Sequence, residues 1–198
     1  MRMGQGSVIH VFNGTGLAAT AEIADAKCRT ANIIAMLPEK PALPTRILAL
    51  GLPKRDAWES ALRQATEMGA TSIIPLKTRF AQVGKLNAER DHRHLVEAAE
   101  QSERYTLPTL LPVTTLEDFL AGLSHPCLWA YERLLTEPLA NPNQPATTVL
   151  VGPEGGFAPE EVAALNSHKF IRPFSLGPTI LRTDTAVVAS LTHLSHQH

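Results

Sequence analysis

No apolar run in this chain of 198 residues approaches the roughly eighteen that a membrane-crossing helix needs. Its start, Met1-Arg2-Met3-Gly4-Gln5-Gly6, has neither an apolar stretch nor a cleavage signal, so a cytoplasmic location is expected. There are only two cysteines, Cys28 and Cys127, and no C-x-x-C pair, which removes a disulfide framework and a thiolate metal site. The histidines do not repair that lack. His92 and His94 are two apart and diverge on a helix, while His193 and His196, three apart, sit in the terminal tail. No metal is expected. Charge of one sign is also missing, the net value being −1. The halves differ, however: residues 1–105 hold 14 Lys+Arg and 11 Asp+Glu, against 4 and 8 in residues 106–198. A phosphate-binding surface is therefore expected in the front half, although a difference this small is also that of an ordinary solvated face.

What is present describes an ordinary globular core, with hydrophobic residues at 44% and charged residues at 19%. Val8 to Phe12, Asn13-Gly14-Thr15-Gly16 and Leu17 to Ile23 read as a β-hairpin, and Thr30 to Leu37 as a further strand. Pro38, Pro41 and Pro44 then mark a boundary between residues 1–40 and 41–198. Beyond it, strands at Ile47–Leu50, Ser72–Leu76, Leu110–Val113, Cys127–Tyr131 and Thr148–Val151 alternate with helices. The helices are read at Lys54–Met68, Ala88–Gln101, Thr115–Leu123, Pro159–Leu165 and Thr183–Leu194. The run from Glu137 to Pro145 is expected as a surface loop. Such alternation specifies an α/β fold, a mostly parallel sheet covered by helices behind a small β-rich domain, with ligands at the carboxyl ends of strands.

Two glycine-containing turns stand at such ends. Gly152-Pro153-Glu154-Gly155-Gly156-Phe157 follows an apolar strand, and Leu176-Gly177-Pro178 precedes Thr179-Ile180-Leu181-Arg182-Thr183-Asp184-Thr185-Ala186 at the start of the last helix. Glycine lets backbone approach a ligand closely and leaves amides and carbonyls to read its polar edges. A plain tight turn, with Thr183 and Asp184 acting as helix caps, explains part of this pattern without function. A phosphate loop does not fit, because G-x-x-x-x-G-K-[ST] is absent and Glu154 repels an anion.

These two motifs closely resemble the RsmE family of the SPOUT superfamily. The resemblance extends through Ala65-Thr66-Glu67-Met68-Gly69, Ile74-Pro75-Leu76 and Glu97-Ala98-Ala99-Glu100-Gln101-Ser102. It implies transfer of a methyl group from S-adenosylmethionine to N3 of a uridine in 16S rRNA of the small ribosomal subunit. It also implies a C-terminal trefoil knot, a homodimer and no metal. The front segment looks like the later part of the family's PUA-like β-barrel, an RNA-binding unit whose opening strands are missing here; the chain then begins late or is truncated, with an unpaired sheet edge. Two positions depart from the family: Thr179, where Arg is usual, and Glu103-Arg104, where Gly-Arg or Asn-Arg is common.

By that resemblance Gly152, Pro153, Gly155, Gly156, Leu176, Gly177 and Leu181 hold the methyl donor, with Thr183 and Thr185 nearby. Uracil N3 must lose a proton, so Arg182 is the candidate for stabilising charge on a uracil carbonyl oxygen, and Glu154 or Asp184 for accepting the proton. Lys54, Arg55, Arg79 and Arg104 are candidate phosphate contacts. Two rivals stand beside this reading. One is a non-catalytic RNA-binding module. The other is a nucleotide-dependent dehydrogenase, from Gly14-Thr15-Gly16-Leu17-Ala18-Ala19, which fits G-x-G-x-x-A but lacks a following helix pattern.

Overall fold

A computed structural model describes residues 4–82, 86–131 and 146–195. The 137–145 run, His196 and the first three residues lie outside them.

Strands β1 (Val8–Phe12), β2 (Ala18–Ile23) and β3 (Ala31–Met36) form an antiparallel sheet in that order. Asn13 sets the first turn: its Oδ1 accepts the N–H groups of Thr15 at 2.9 Å and Leu17 at 3.1 Å, and Gly14 takes a φ of 78°. The chain leaves this turn as a strand, which removes the dehydrogenase reading, since that needs a helix N-terminus behind its glycines. β2 buries Ala18, Ala19, Ala21 and Ile23, whereas β3 is exposed along its whole length, with Ile33 66% and Met36 57% accessible. Among the described residues the expected barrel is therefore an open sheet. Its turn docks on the segment after the second helix, through Gly16 N–H to the Tyr105 carbonyl at 3.0 Å and Leu107 N–H to the Gly14 carbonyl at 2.9 Å.

Residues 37–46 then run without regular structure into the α/β unit. Its elements are β4 (Ile47–Gly51), α1 (Arg55–Glu67), β5 (Ser72–Lys77), α2 (Ala88–Gln101), β6 (Thr109–Leu110), β7 (Thr114–Thr115), α3 (Leu116–Gly122), β8 (Cys127–Ala130), β9 (Thr148–Val151), α4 (Pro159–Ser167), β10 (Ile171–Phe174) and α5 (Thr183–Ser195). The sheet runs β10-β8-β9-β4-β5-β6, with β7 also on β5, and each of these pairings is parallel. Two prolines sit in its strands at places where a missing N–H costs little. Pro173 is on the edge strand β10, and Pro75 lies level with the gap between β6, which pairs Ser72 and Ile73, and β7, which pairs Leu76 and Lys77.

The pleat divides the core. Leu48, Leu50, Leu128, Val149 and Val151 face α1, α2 and α5, packing with Trp58, Leu62, Leu95, Val187 and Leu191. Ala49, Cys127, Trp129 and Leu150 face α3 and α4, packing with Phe119, Leu120 and Leu165. Between α1 and α2, Trp58 Nε1 donates to Asp91 Oδ1 at 3.1 Å, both residues fully buried. Burial raises the Asp91 carboxyl above its usual 3.8, against the lowering effect of the Trp58 hydrogen bond.

α1 is closed just beyond its C-cap Met68 by Gly69, which has φ 80° and its N–H on the Thr66 carbonyl at 3.1 Å. No basic residue lies in its last turn, yet its carbonyl end is met by two guanidinium groups from elsewhere. Arg46 donates to the Met68 carbonyl at 3.2 Å, and Arg104 donates to the carbonyls of Thr66 and of Ala70, the latter at 3.1 Å. Arg104 is buried, and desolvation draws its pKa below the ordinary guanidinium value. This corrects its expected role: its fork is spent on main-chain carbonyls and is not offered to phosphate. Glu103 beside it has a φ of 54°, in the left-handed region where Gly and Asn are least strained.

Arg104→Met should lower the unfolding free energy by about 1.5–3 kcal/mol in urea titrations, by orphaning buried carbonyls. It should leave the salt dependence of RNA affinity unchanged, where loss of a phosphate contact would cut that slope by about one unit. For Asp91 the raised folded-state pKa gives stability that is full below 3.8 and is lost as pH rises through the raised value. Asp91→Asn should therefore gain on the wild type as pH climbs through that window, and equal pH profiles of the unfolding midpoint would refute the assignment.

Candidate functional site

The carboxyl ends of β8, β9 and β10 enclose a cavity of about 320 Å³. Its first wall is the loop after β9. Gly156 takes a φ of 67° and returns its N–H to the Pro153 carbonyl at 2.8 Å, closing a tight turn. Three glycines allow the loop to pack as it does. A Cβ on Gly51, at the end of β4, would stand 2.5 Å from Pro153 Cδ; one on Gly152 would stand 3.0 Å from the Phe157 ring; one on Gly155 would stand 2.9 Å from Phe80 Cβ. Glu154 ties the loop to α1, because its carboxylate accepts the Lys54 N–H at 3.1 and 3.2 Å. Glu161 of α4 does the same for its surroundings, accepting Arg79 N–H and Ala158 N–H, each at 2.8 Å.

The second wall follows β10. Gly177 has a φ of 116° and donates its N–H to Ser175 Oγ at 3.1 Å, bending the chain back toward α5. Ile180 is left 78% exposed at the rim. The floor is aromatic: Trp129 stacks on Tyr131 at 4.4 Å between ring centroids and meets Phe157 edge-on at 5.9 Å. Trp129 is wholly buried, lines the cavity, and its Nε1 has no hydrogen-bond partner among the described residues.

The two motifs thus come together. Gly152, Pro153, Glu154, Gly155, Gly156, Leu176, Gly177, Leu181, Arg182 and Thr183 all line the cavity. Asp184 and Thr185 do not; Asp184 Oδ1 instead accepts the Thr185 N–H at 2.9 Å in the first turn of α5. Of the basic candidates, Lys54 and Arg79 flank the first loop through their own main-chain contacts. Arg55 pairs with the buried Glu59 at 3.8 Å, and Arg104 lies at the far end of α1. Sequence reasoning missed Trp129, Tyr131, Phe157 and Gly51. A parallel sheet places its site across neighbouring strand ends, so the end of β8 was a signal available beside the two glycine-rich turns.

Chemically this is a neutral, largely apolar chamber with one unpaired cation, Arg182, at its edge among the described residues. Cys127, two residues before Trp129 on β8, supplies no nucleophile, since complete burial pushes its thiol pKa up. Among the described residues no group of three or more His, Cys, Asp and Glu is arranged to hold a metal, and no helix is long and apolar enough to cross a membrane.

Residues 39–195 match the RNA methyltransferase domain. The chain is 34% identical to the ribosomal RNA small subunit methyltransferase E of Rickettsia conorii, across 94% of this chain and 79% of that one. It is 30% identical to the protein of the same name from Bacillus subtilis, across 100% and 84%. The chain belongs to the RsmE family of RNA methyltransferases. Solved structures agree: a Legionella pneumophila methyltransferase in complex with the cofactor SAM superposes with a TM-score of 0.84 at 27% identity, covering 98% of this chain and 84% of that one. The Neisseria gonorrhoeae ribosomal RNA small subunit methyltransferase E, bound to S-adenosyl methionine, gives 0.81 at 25%, covering 97% and 84%.

Gly51→Ala should cost about 1–3 kcal/mol of unfolding free energy by forcing β4 and Pro153 apart. Gly122→Ala, where a Cβ meets nothing within 4 Å, is the control and should be neutral or stabilising. Equal effects of the two in urea denaturation would discount the close approach.

Proposed function

We propose that this chain transfers a methyl group from S-adenosylmethionine to N3 of a uridine in 16S rRNA of the small ribosomal subunit. The observation that carries the reading is the cavity: the two family motifs, separated by 18 residues in sequence, form facing walls of one chamber. The residues present fit the donor. Gly152 lets the Phe157 ring close onto the loop and Gly155 lets the loop pack on Phe80, the aromatic floor suits a flat base, and Glu154 in the lining offsets the charge of Arg182 beside a sulfonium cation. In this reading Gly152, Pro153, Gly155, Gly156, Leu176, Gly177 and Leu181 hold the donor, with Thr183 at the foot of α5. Thr185, outside the lining, acts through the helix turn. The bound donor supplies an electrophilic methyl group on sulfur.

The chain's own work is then positioning and charge. Fixing two reactants in line is worth about 7–11 kcal/mol of barrier, and the loops here are held by main-chain hydrogen bonds before any ligand arrives. Arg182, fixed in the last turn before α5, stabilises negative charge on a uracil oxygen as the N3 proton leaves. Of the two carboxylates Glu154 is the one at the cavity, and the reading gives it that proton; Asp184 orients the helix start. Lys54 and Arg79 meet phosphate beside the first loop. The sheet of residues 1–40 is the RNA-binding unit and residues 41–198 the methyltransferase unit. In this reading, as the family resemblance implies, the C-terminal segment is knotted and the assembly is a cytoplasmic homodimer.

Titration calorimetry with the donor, and incubation of methyl-labelled donor with undermethylated small subunits, test the reading. Heat on titration and label in 16S rRNA are expected; RNA binding without label would leave a non-catalytic module. Arg182→Ala should lower turnover about 100-fold or more while sparing donor affinity. Parallel loss of both would move Arg182 to donor binding.

A further inference from the structure

Phe80 is an unusual residue to leave in view. It is 41% exposed, on the segment after β5, and its Cβ rests against the open side of Gly155, whose other side lines the cavity. The segment is held at four points. Ala81 N–H bonds to the Thr78 carbonyl at 3.2 Å, Gln82 N–H to the Leu52 carbonyl at 2.9 Å, Gln82 Nε2 to the Phe80 carbonyl at 3.1 Å, and Arg79 N–H to Glu161 at 2.8 Å. A ring carried on a main chain so held needs no loop ordering when something lies on it. Lys77 and Arg79, just ahead of it in sequence, have no ion-pair partner among the described residues, while the nearby carboxylates of Glu154 and Glu161 are occupied by main-chain N–H groups.

We propose that Phe80 is a stacking platform for an unpaired RNA base next to the one that enters the cavity, with Arg79 and Lys77 on the adjoining phosphates. The inference rests on the proposed methyl transfer to RNA and adds where the flanking strand lies. A cavity of about 320 Å³ has no room for neighbouring nucleotides, so they must leave across its edge, and on the Gly155 side they meet this ring, which packs on Gly155 just outside the lining. An aromatic face takes any base, which suits a position that holds the strand and does not read it. The geometry also explains Gly155 itself: a side chain there would displace Phe80.

The test uses the full chain and its Phe80→Ala, Phe80→Leu and Phe80→Tyr variants, with a fluorescein-labelled oligouridylate followed by anisotropy. Donor affinity is measured by calorimetry, oligomeric state by sedimentation, and methyl transfer on undermethylated small subunits. Loss of one stacked base corresponds to roughly 5- to 150-fold weaker binding. Ala and Leu should both show a loss in that range and a raised KM for the subunit, Tyr should restore both, and donor affinity and sedimentation should not move. Leu binding as well as Phe would mean simple apolar packing and overturn the proposal. So would an unaffected Ala variant, a wild type that ignores the oligouridylate, or a shift in sedimentation that makes the ring a subunit contact. Should the wild type bind oligouridylate yet transfer no methyl group, the proposed function fails, while the anisotropy series still decides the role of Phe80.

Discussion

The close approach of β4 to the loop leaving β9 is the constraint on which the rest of the site depends. Parallel neighbours in a sheet stand a fixed distance apart, so a loop crossing from one strand end over the next must pass within van der Waals contact of it. Here the crossing atom is Pro153, and the strand end beneath it is Gly51, where even a methyl group would overlap the ring. That contact sets the height of the loop above the sheet. Glu154 then fastens the same loop to the start of α1, and Phe157 folds back over Gly152 to become part of the chamber.

Much of this was legible in the residues. The hairpin at Asn13-Gly14, the helices from Ala88 and Thr183 and the strand from Thr148 all fall within a residue or two of their reading, because turn chemistry and apolar periodicity agree at each of them. The sheet is more uniform than the alternation required, each of its pairings being parallel. The two glycine-rich turns are legible in the sequence as one site, and the cavity brings them together. The facts that escaped concern partners distant in sequence. Nothing around Gly51 in the chain announces Pro153, and Trp129 reads as a core residue because it is one, with only its indole nitrogen left unsatisfied.

Arg104 shows how residue type misleads when the surroundings are unknown. In a front half with an excess of basic residues it reads as a phosphate ligand. In the fold it fills the carbonyl end of α1, a task as suited to a guanidinium fork as phosphate recognition is, since both present oxygen acceptors in a plane. The same holds for Glu154, a residue of the cavity wall whose carboxylate is bound to the Lys54 N–H and so anchors the loop.

The docking of the β1–β2 turn on residues 105–107 has a mechanical result. Arg104 immediately precedes that segment and grips the end of α1, whose thirteen residues span roughly 20 Å to Lys54 and the Glu154 loop. Front sheet, helix and chamber are thereby joined in series by main-chain and charged hydrogen bonds with no glycine-rich hinge within the helix. The spacing between front sheet and chamber is therefore set by the length of α1, and a load placed on one is passed to the other along the helix.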